Sequence, residues 1–287
     1  MNQTELRELI AHGEHSIPRH EVEIILAHIL GVSRKDLHTR VVPEELYPEN
    51  IEAILNDLVE RRIAGEPLQY ITGEAGFRYI DLIVGPGVLV PRPETEMIVD
   101  IAIAEMKKRL QSNPDQQLSL IDLGAGSGAI CLAIENEVAS HFSIGIIAVE
   151  KSHEAVEYLK KNCEKYGSQI RILHESAESA LPQVKCDIVV ANPPYIPEQL
   201  LDDGSLPGDL THEPISALSG GAGDGMEIPQ LFIDAAARLL KPGGFFICER
   251  FEEQAGAFEK LLDQNFESIT QVTDLAGRSR FTSAYRK

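Results

Sequence analysis

Cysteine is sparse and unpaired in this sequence. The four present, Cys131, Cys163, Cys186 and Cys248, form no CxxC pair, so neither a zinc site nor a disulfide framework is expected. Buried free thiols in a reducing compartment account for them. Long apolar runs are missing as well. The longest are strand-sized, as at Ile144–Val149, well short of the roughly 20 residues that a membrane helix needs. The opening MNQTELRELIAHGEH has no basic stretch and no apolar core, so a cytoplasmic protein without a secretory signal is expected. Basic residues are outnumbered: 26 Lys and Arg stand against 45 Asp and Glu, a net charge of −19. Non-specific nucleic-acid binding neutralises phosphates with Lys and Arg, so this field disfavours DNA or RNA as a partner, although the same imbalance also serves solubility. The deficit is not local, since residues 1–75 alone carry 7 basic against 14 acidic side chains.

What is present reads as an ordinary globular protein, 43% hydrophobic and 25% charged, and 287 residues suffice for two domains. Residues 1–75 predict a small helical domain. Val22, Ile25, Leu26, Ile29 and Leu30 share one helical face between Pro18 and Gly31, and Ile51, Ile54, Leu55, Leu58 and Ile63 form a second such run. Residues 76–93 predict an extended hairpin turning at Gly85-Pro86-Gly87, which would tie the helical domain to whatever site follows. On that ground residues 1–75 are expected to recognise a protein substrate.

Residues 94–287 alternate between the two periodicities. Helices are predicted at 94–110, 127–138, 152–166 and 228–240, and strands at 118–123, 144–150, 169–174, 186–191, 244–249, 268–273 and 280–285. That alternation implies βαβ units, hence a doubly wound, mostly parallel seven-stranded α/β sheet covered on both faces.

The first of these strands runs into Asp122-Leu123-Gly124-Ala125-Gly126-Ser127-Gly128. Ligands of open α/β sheets bind at the carboxyl ends of strands, and glycine there lets backbone approach a ligand closely. Gly124-x-Gly126-x-x-Ala129 also satisfies the dinucleotide fingerprint, with Glu150 at the right distance to hold ribose hydroxyls. Two cofactors therefore compete, a nucleotide with a pyrophosphate and S-adenosylmethionine. Asp122 favours the second, because a carboxylate would oppose a pyrophosphate yet suits an ammonium group or orders the loop.

Asn192-Pro193-Pro194-Tyr195 follows the apolar strand Cys186–Ala191 on the same rim. Two prolines stiffen the loop and end the strand's pairing. The lone pair of an amide or aromatic-amine nitrogen is delocalised, which makes it a poor nucleophile. If its two N–H groups donate to the Asn192 side-chain oxygen and the Pro193 carbonyl, electron density shifts onto nitrogen as charge develops, and Tyr195 can stack on the planar group. The gain is orientation and preorganised dipoles rather than a strong base.

With these motifs on one rim, the chain resembles the HemK/PrmC family of release-factor glutamine methyltransferases. The resemblance also rests on Glu66-Pro67-Leu68-Gln69-Tyr70-Ile71-Thr72-Gly73, Val90-Pro91-Arg92-Pro93-Glu94-Thr95-Glu96, Glu213-Pro214 with Ala217-Leu218, Gly220-Gly221, Asp224-Gly225 and Asp274-Leu275-Ala276-Gly277-Arg278. It implies a class I methyltransferase domain behind a helical bundle, with S-adenosyl-L-methionine as cofactor. The implied reaction is N5-methylation of the glutamine in the Gly-Gly-Gln motif of peptide-chain release factors. The donor would meet Asp122, the loop Gly124, Ala125, Gly126, Ser127 and Gly128, then Glu150, Ala177 and Asn192. The substrate would meet Asn192, Pro193, Pro194 and Tyr195, with Asn192, Pro193 and Tyr195 catalytic. A monomer without membrane or nucleic-acid contacts is expected.

The sequence departs from the family pattern at three points. Glu150 stands where many members have Asp, Glu175-Ser176-Ala177 lacks the usual acid and aromatic beside the adenine, and Arg250-Phe251 replaces a common glycine. Three rival readings remain open: an NAD(P)-dependent oxidoreductase on the same loop, a non-catalytic binding module, and an adenine-N6 nucleic-acid methyltransferase. His12, His15 and His20 read as solvated, His153-Glu154-x-x-Glu157 lacks the second histidine of a zinc motif, and Asp202-Asp203 with the glycines of 220–225 reads as a surface loop. No metal is expected.

Overall fold

The protein is described by a computed structural model over residues 8–11, 13–14, 16–39, 46–139, 141–202 and 208–287. It divides into two compact units: residues 1–74 with 207–212, and residues 75–206 with 213–287. The first unit thus takes in a short stretch from far along the chain, whose His212 ring nitrogen lies 3.1 Å from the Ala64 carbonyl.

The first unit is helical: α1 (Arg19–Leu30), α2 (Arg34–Thr39), α3 (Ile51–Ile63) and α4 (Leu68–Thr72). Val22, Ile25, Leu26 and Leu30 of α1 pack in one core with Leu37, Leu55 and Val59. The α3 face is shorter than its spacing suggests, because Ile63 ends 57% exposed while Val59 goes inside. Glu23 is buried on α1, and its carboxylate is satisfied by Arg19 at 3.0 Å and Arg34 at 2.8 Å. Such pairing is what a buried charge requires.

The second unit opens with a two-stranded sheet, β1 (Glu74–Phe77) and β2 (Ile80–Ile83). The turn falls at Arg78-Tyr79, not at Gly85-Pro86-Gly87. Arg78 takes φ 52°, held there by ion pairs to Asp100 and Glu137 and by its N–H donating to Glu96. Then come α5 (Glu96–Ser112), β3 (Leu118–Leu123), α6 (Ala129–Val138), β4 (Ile144–Glu150), α7 (His153–Tyr166), β5 (Arg171–His174), β6 (Cys186–Ala191), α8 (Glu227–Leu239), β7 (Leu240–Glu249), α9 (Ala255–Leu262), β8 (Phe266–Thr273) and β9 (Ser279–Arg286). The sequence reading placed no helix at α9, whose Phe258 and Leu262, four residues apart, are both fully buried.

The large sheet has the order β5-β4-β3-β6-β7-β9-β8, parallel except where β9 runs against both its neighbours. The order reverses between β3 and β6, which makes the carboxyl ends of those two strands the topological switch point. β6 is central and buried along its whole length. Its one acid, Asp187, is held by Ser119 backbone and hydroxyl and by Lys241 at 2.9 Å. Phe232 and Ile233 of α8 and Phe258 and Leu262 of α9 share one core with Val189 and Phe246 of the sheet.

Arg250 follows β7 and is wholly buried. Its guanidinium donates to Thr282 Oγ1 at 2.8 Å, the Ser279 carbonyl at 2.9 Å, Ser279 Oγ at 2.6 Å and the Phe251 carbonyl at 3.0 Å. The departure from a glycine here is structural: the side chain stitches the end of β7 to β9.

Candidate active site

Register places the site. Leu123 of β3 is level with Val149 of β4 and Ala191 of β6, and Ala191 is level with Cys248 of β7. The next residue along each strand is Gly124, Glu150, Asn192 and Glu249. Neighbouring strands lie about 4.8 Å apart, so four groups from distant parts of the chain stand in one row at the carboxyl edge.

The glycine loop leaves β3 by donating from Gly124 and Ala125 N–H to the Val149 carbonyl at 2.9 and 3.1 Å. Its glycines have different tasks. Gly126 has φ +57° and open space where a Cβ would stand. Its N–H donates to Glu150 Oε2 at 2.9 Å. Gly128 has φ +88° and begins α6, and a Cβ there would lie 2.6 Å from Leu159 and 2.9 Å from Leu132. Its need for glycine is internal packing.

Glu150 is nearly buried, and its second oxygen accepts from Ser152 N–H at 2.8 Å. Each carboxylate oxygen has thus accepted one backbone donor and keeps capacity for a hydroxyl. Asp122 does not reach the cleft. It is fully buried behind the loop, where Oδ2 accepts from Cys131 N–H at 3.2 Å and Oδ1 has no partner. Burial pushes its carboxyl up to about 7, against the opposing bonds from Cys131. Of the two roles open to it, meeting an ammonium group or ordering the loop, this placement allows ordering the loop and the start of α6.

On β6's side, Asn192 Nδ2 donates to Thr95 Oγ1 at 3.2 Å, and Thr95 in turn donates to Glu249 Oε2 at 2.6 Å. Tyr195 donates its hydroxyl to the other Glu249 oxygen at 2.9 Å. Burial, with the charge of Glu249, pushes the Tyr195 phenol well up, so it stays a donor. Burial also raises the Glu249 carboxyl, while the two donated bonds pull the other way. The loop backbone is pinned behind: Gln254 Nε2 donates to the Tyr195 carbonyl at 2.8 Å, and Ile196 N–H donates to the Leu218 carbonyl at 2.9 Å. Glu213 accepts from Val90 N–H at 2.9 Å and pairs with Arg92, joining the PRPETE and EPxxAL segments.

These elements enclose a cleft of about 1060 Å³, part of it open to solvent. Gly124, Gly126, Ser127, Glu150, Ala177, Asn192 and Pro194 line it, as do Thr95, Val88, Pro214, Ala217, Ile130 and Phe232. Ala125, Gly128, Pro193 and Tyr195 stand off the wall. Ala125 turns its carbonyl to Gly128 N–H, Pro193 is buried, and Tyr195 is drawn to Glu249. Thr95 and Glu249 escaped the sequence reading as site residues, although Thr95 lies in the PRPETE stretch. The walls suit a ligand with an apolar base and a ribose: an open approach over Gly126, a carboxylate with free lone pairs at Glu150, and aliphatic sides at Ile130 and Ala177.

Among the described residues no three His, Cys, Asp or Glu side chains group as metal ligands, and no helix is long and apolar enough to cross a membrane. His12, His15 and Asp203 lie outside the described residues.

Comparison with known proteins agrees with this geometry. The PrmC N-terminal domain matches residues 4–73, and the methyltransferase small domain matches residues 95–205. By fold, the catalytic domain of hMettl16 in complex with an RNA hairpin superposes with a TM-score of 0.53 at 18% identity, over 72% of this chain and 75% of that one. A putative class I S-adenosylmethionine-dependent methyltransferase from Listeria monocytogenes covers 99% of this chain and 88% of its own, with a TM-score of 0.50 and 15% identity. Fold and cleft thus define a class I methyltransferase, whose cofactor is S-adenosyl-L-methionine. Release factor glutamine methyltransferases from Streptomyces coelicolor and Bifidobacterium longum are 38% and 36% identical to it. Each match spans 93% of this chain, with 90% and 92% of the respective relatives. The chain belongs to the release factor glutamine methyltransferase family.

Proposed function

We propose that this enzyme methylates the side-chain amide nitrogen, N5, of the glutamine in the Gly-Gly-Gln motif of peptide-chain release factors, with S-adenosylmethionine as donor. The observation that carries the reading is the state of Asn192. Its Nδ2 is committed to Thr95 at 3.2 Å, which leaves Oδ1 as an acceptor on the cleft wall. A glutamine amide offers two N–H donors. One donates to Asn192 Oδ1 and the other to the carbonyl of Pro193, the residue just behind the wall, holding the nitrogen in place and stabilising the positive charge it gains. When bound, S-adenosylmethionine supplies an electrophilic methyl group on a sulfonium. Glu150 accepts its ribose hydroxyls, and the Gly126 backbone admits its tail.

Tyr195 serves this loop from behind, through Glu249. The rival oxidoreductase and binding-module readings leave the Asn192 arrangement without a purpose. The excess of 45 acidic over 26 basic residues supports a protein rather than a nucleic-acid substrate. We read the enzyme as a cytoplasmic monomer.

Interactions stronger in the transition state than in the ground state raise turnover rather than affinity. Asn192→Ala should therefore lower kcat by roughly 10²–10³, the loss typical of one preorganised partner. S-adenosylhomocysteine affinity, measured by calorimetry, should stay within about threefold of wild type on this account. Near-normal turnover in that variant, or equal labelling of a release factor whose glutamine is replaced by glutamate, refutes the mechanism. The helical unit is read as the part that recognises the release factor. A chain starting near residue 76 should bind donor but methylate poorly, and full activity would leave those helices structural.

A further inference from the structure

An asparagine amide is nearly symmetric in shape, and nothing in its own bonding decides which end faces a cleft. If Nδ2 rather than Oδ1 faced the substrate, two donors would confront each other. Something must fix the choice, and the row at the carboxyl edge supplies it.

The proton count is short. Glu249 is fully buried and accepts from Tyr195 at 2.9 Å on one oxygen and from Thr95 at 2.6 Å on the other. As the carboxylate that these two donated bonds favour, against the burial that raises it, Glu249 has no hydrogen to give. Thr95, 4% exposed, has a single hydroxyl hydrogen, and that is spent on Glu249. Toward Asn192 it can present only a lone pair, so the amide must turn Nδ2 to it, at 3.2 Å. The two residues lie 154 positions apart in the chain, and the bond between them joins Asn192 to a buried carboxylate that also accepts from Tyr195.

We propose that Thr95 and Glu249 are positioning residues that hold the Asn192 amide in the one orientation able to accept from a substrate N–H. The inference rests on the reading of Asn192 given above and adds to it a cause for that orientation. A buried carboxylate beside an active site is then neither a general base nor a ligand for the donor. It is a polarity setter, acting at two bonds' remove.

Turnover of a release factor and S-adenosylhomocysteine affinity, measured on the full-length chain, separate the possibilities. Thr95→Val keeps the shape and removes the acceptor. It should lower kcat about tenfold, the worth of one hydrogen bond, with donor affinity little changed. Thr95→Ser, which retains the hydroxyl, should restore kcat, as it would not if threonine served only to fill space. Glu249→Gln has one donor end and satisfies only one of its two hydroxyls, so it should lower kcat several-fold in the wild-type background. In the Thr95→Val background its added loss should shrink to what the bond to Tyr195 carries, the loss that Tyr195→Phe shows alone, because its path to Asn192 runs through Thr95. Additive losses, or a Thr95→Val enzyme with normal kcat, overturn the inference. Asn192→Ala, assayed alongside, keeps the two ideas apart. If it is crippled while Thr95→Val is normal, only the positioning role fails. If it too is normal, the reading of Asn192 fails first.

Discussion

The three glycines of the loop make a sharp test, because the structure assigns two of them opposite purposes. Alanine at Gly128 would be doubly penalised. Its φ of +88° lies in the left-handed region, and its methyl would sit 2.6 Å from Leu159 Cδ1 and 2.9 Å from Leu132 Cδ1, both on buried leucines. The backbone term is about 1–2 kcal/mol and the overpacking about 1–3 kcal/mol. Together they predict a loss of roughly 2–5 kcal/mol, which for a domain of this size lowers Tm by roughly 4–20 °C. Alanine at Gly126 meets only the backbone term, because nothing lies within 4 Å of its Cβ. Its Tm should fall by roughly 2–8 °C, less than for Gly128→Ala. The methyl would, however, project over the floor of the cleft. Gly126→Ala should lose at least about tenfold in S-adenosylhomocysteine affinity, since every 1.4 kcal/mol is a factor of ten, and Gly128→Ala should lose less. Thermal melts of the ligand-free proteins and calorimetry at a temperature where all are folded give both numbers. If Gly126→Ala melts as low as Gly128→Ala, or binds donor product like wild type, the assignment is wrong.

A second expectation concerns Asp122, whose carboxyl burial raises from 3.8 to about 7. Between those values the folded protein holds a proton that the unfolded chain releases, so this group's contribution to stability falls as pH rises through the window and is gone above about 7. Asp122→Asn cannot titrate. Wild type should lose stability relative to the variant between pH 5 and pH 8, by up to about 3 kcal/mol of the roughly 4 kcal/mol that the whole shift carries, read as diverging Tm values. A constant gap across that range would show that Asp122 is charged throughout.

Much of this architecture was legible in the sequence, and what was not shares a cause. The strands at 118–123, 144–150 and 186–191 are observed at those bounds, because largely apolar runs ending in glycine, acid or Asn-Pro carry their own punctuation. The hairpin turn was not legible, since Gly85-Pro86-Gly87 is the stronger local signal. What bends the chain at Arg78 is a pair of carboxylates, Asp100 and Glu137, that no local window contains. The site divides in the same way. Gly126, Glu150 and Asn192 lie on the cleft wall as the spacing suggested, whereas Asp122 is turned away, because position beside a loop does not say which side of the sheet a side chain takes. Thr95 and Glu249 stayed invisible since the bond that joins them spans 154 positions of the chain. Arg250, an unexplained departure in the sequence, becomes intelligible once β9 supplies its acceptors.

The row formed by Gly124, Glu150, Asn192 and Glu249 also says where this enzyme can change length. A residue inserted within β3, β4, β6 or β7 would move one of the four by about 3.3 Å and turn its side chain to the other face. The opposite edge, where Asp115 and Lys185 lead into β3 and β6, carries no such constraint. Drift in chain length belongs on the amino edge of the sheet. On the carboxyl edge, the ladder of backbone hydrogen bonds serves as the ruler by which the active site is measured.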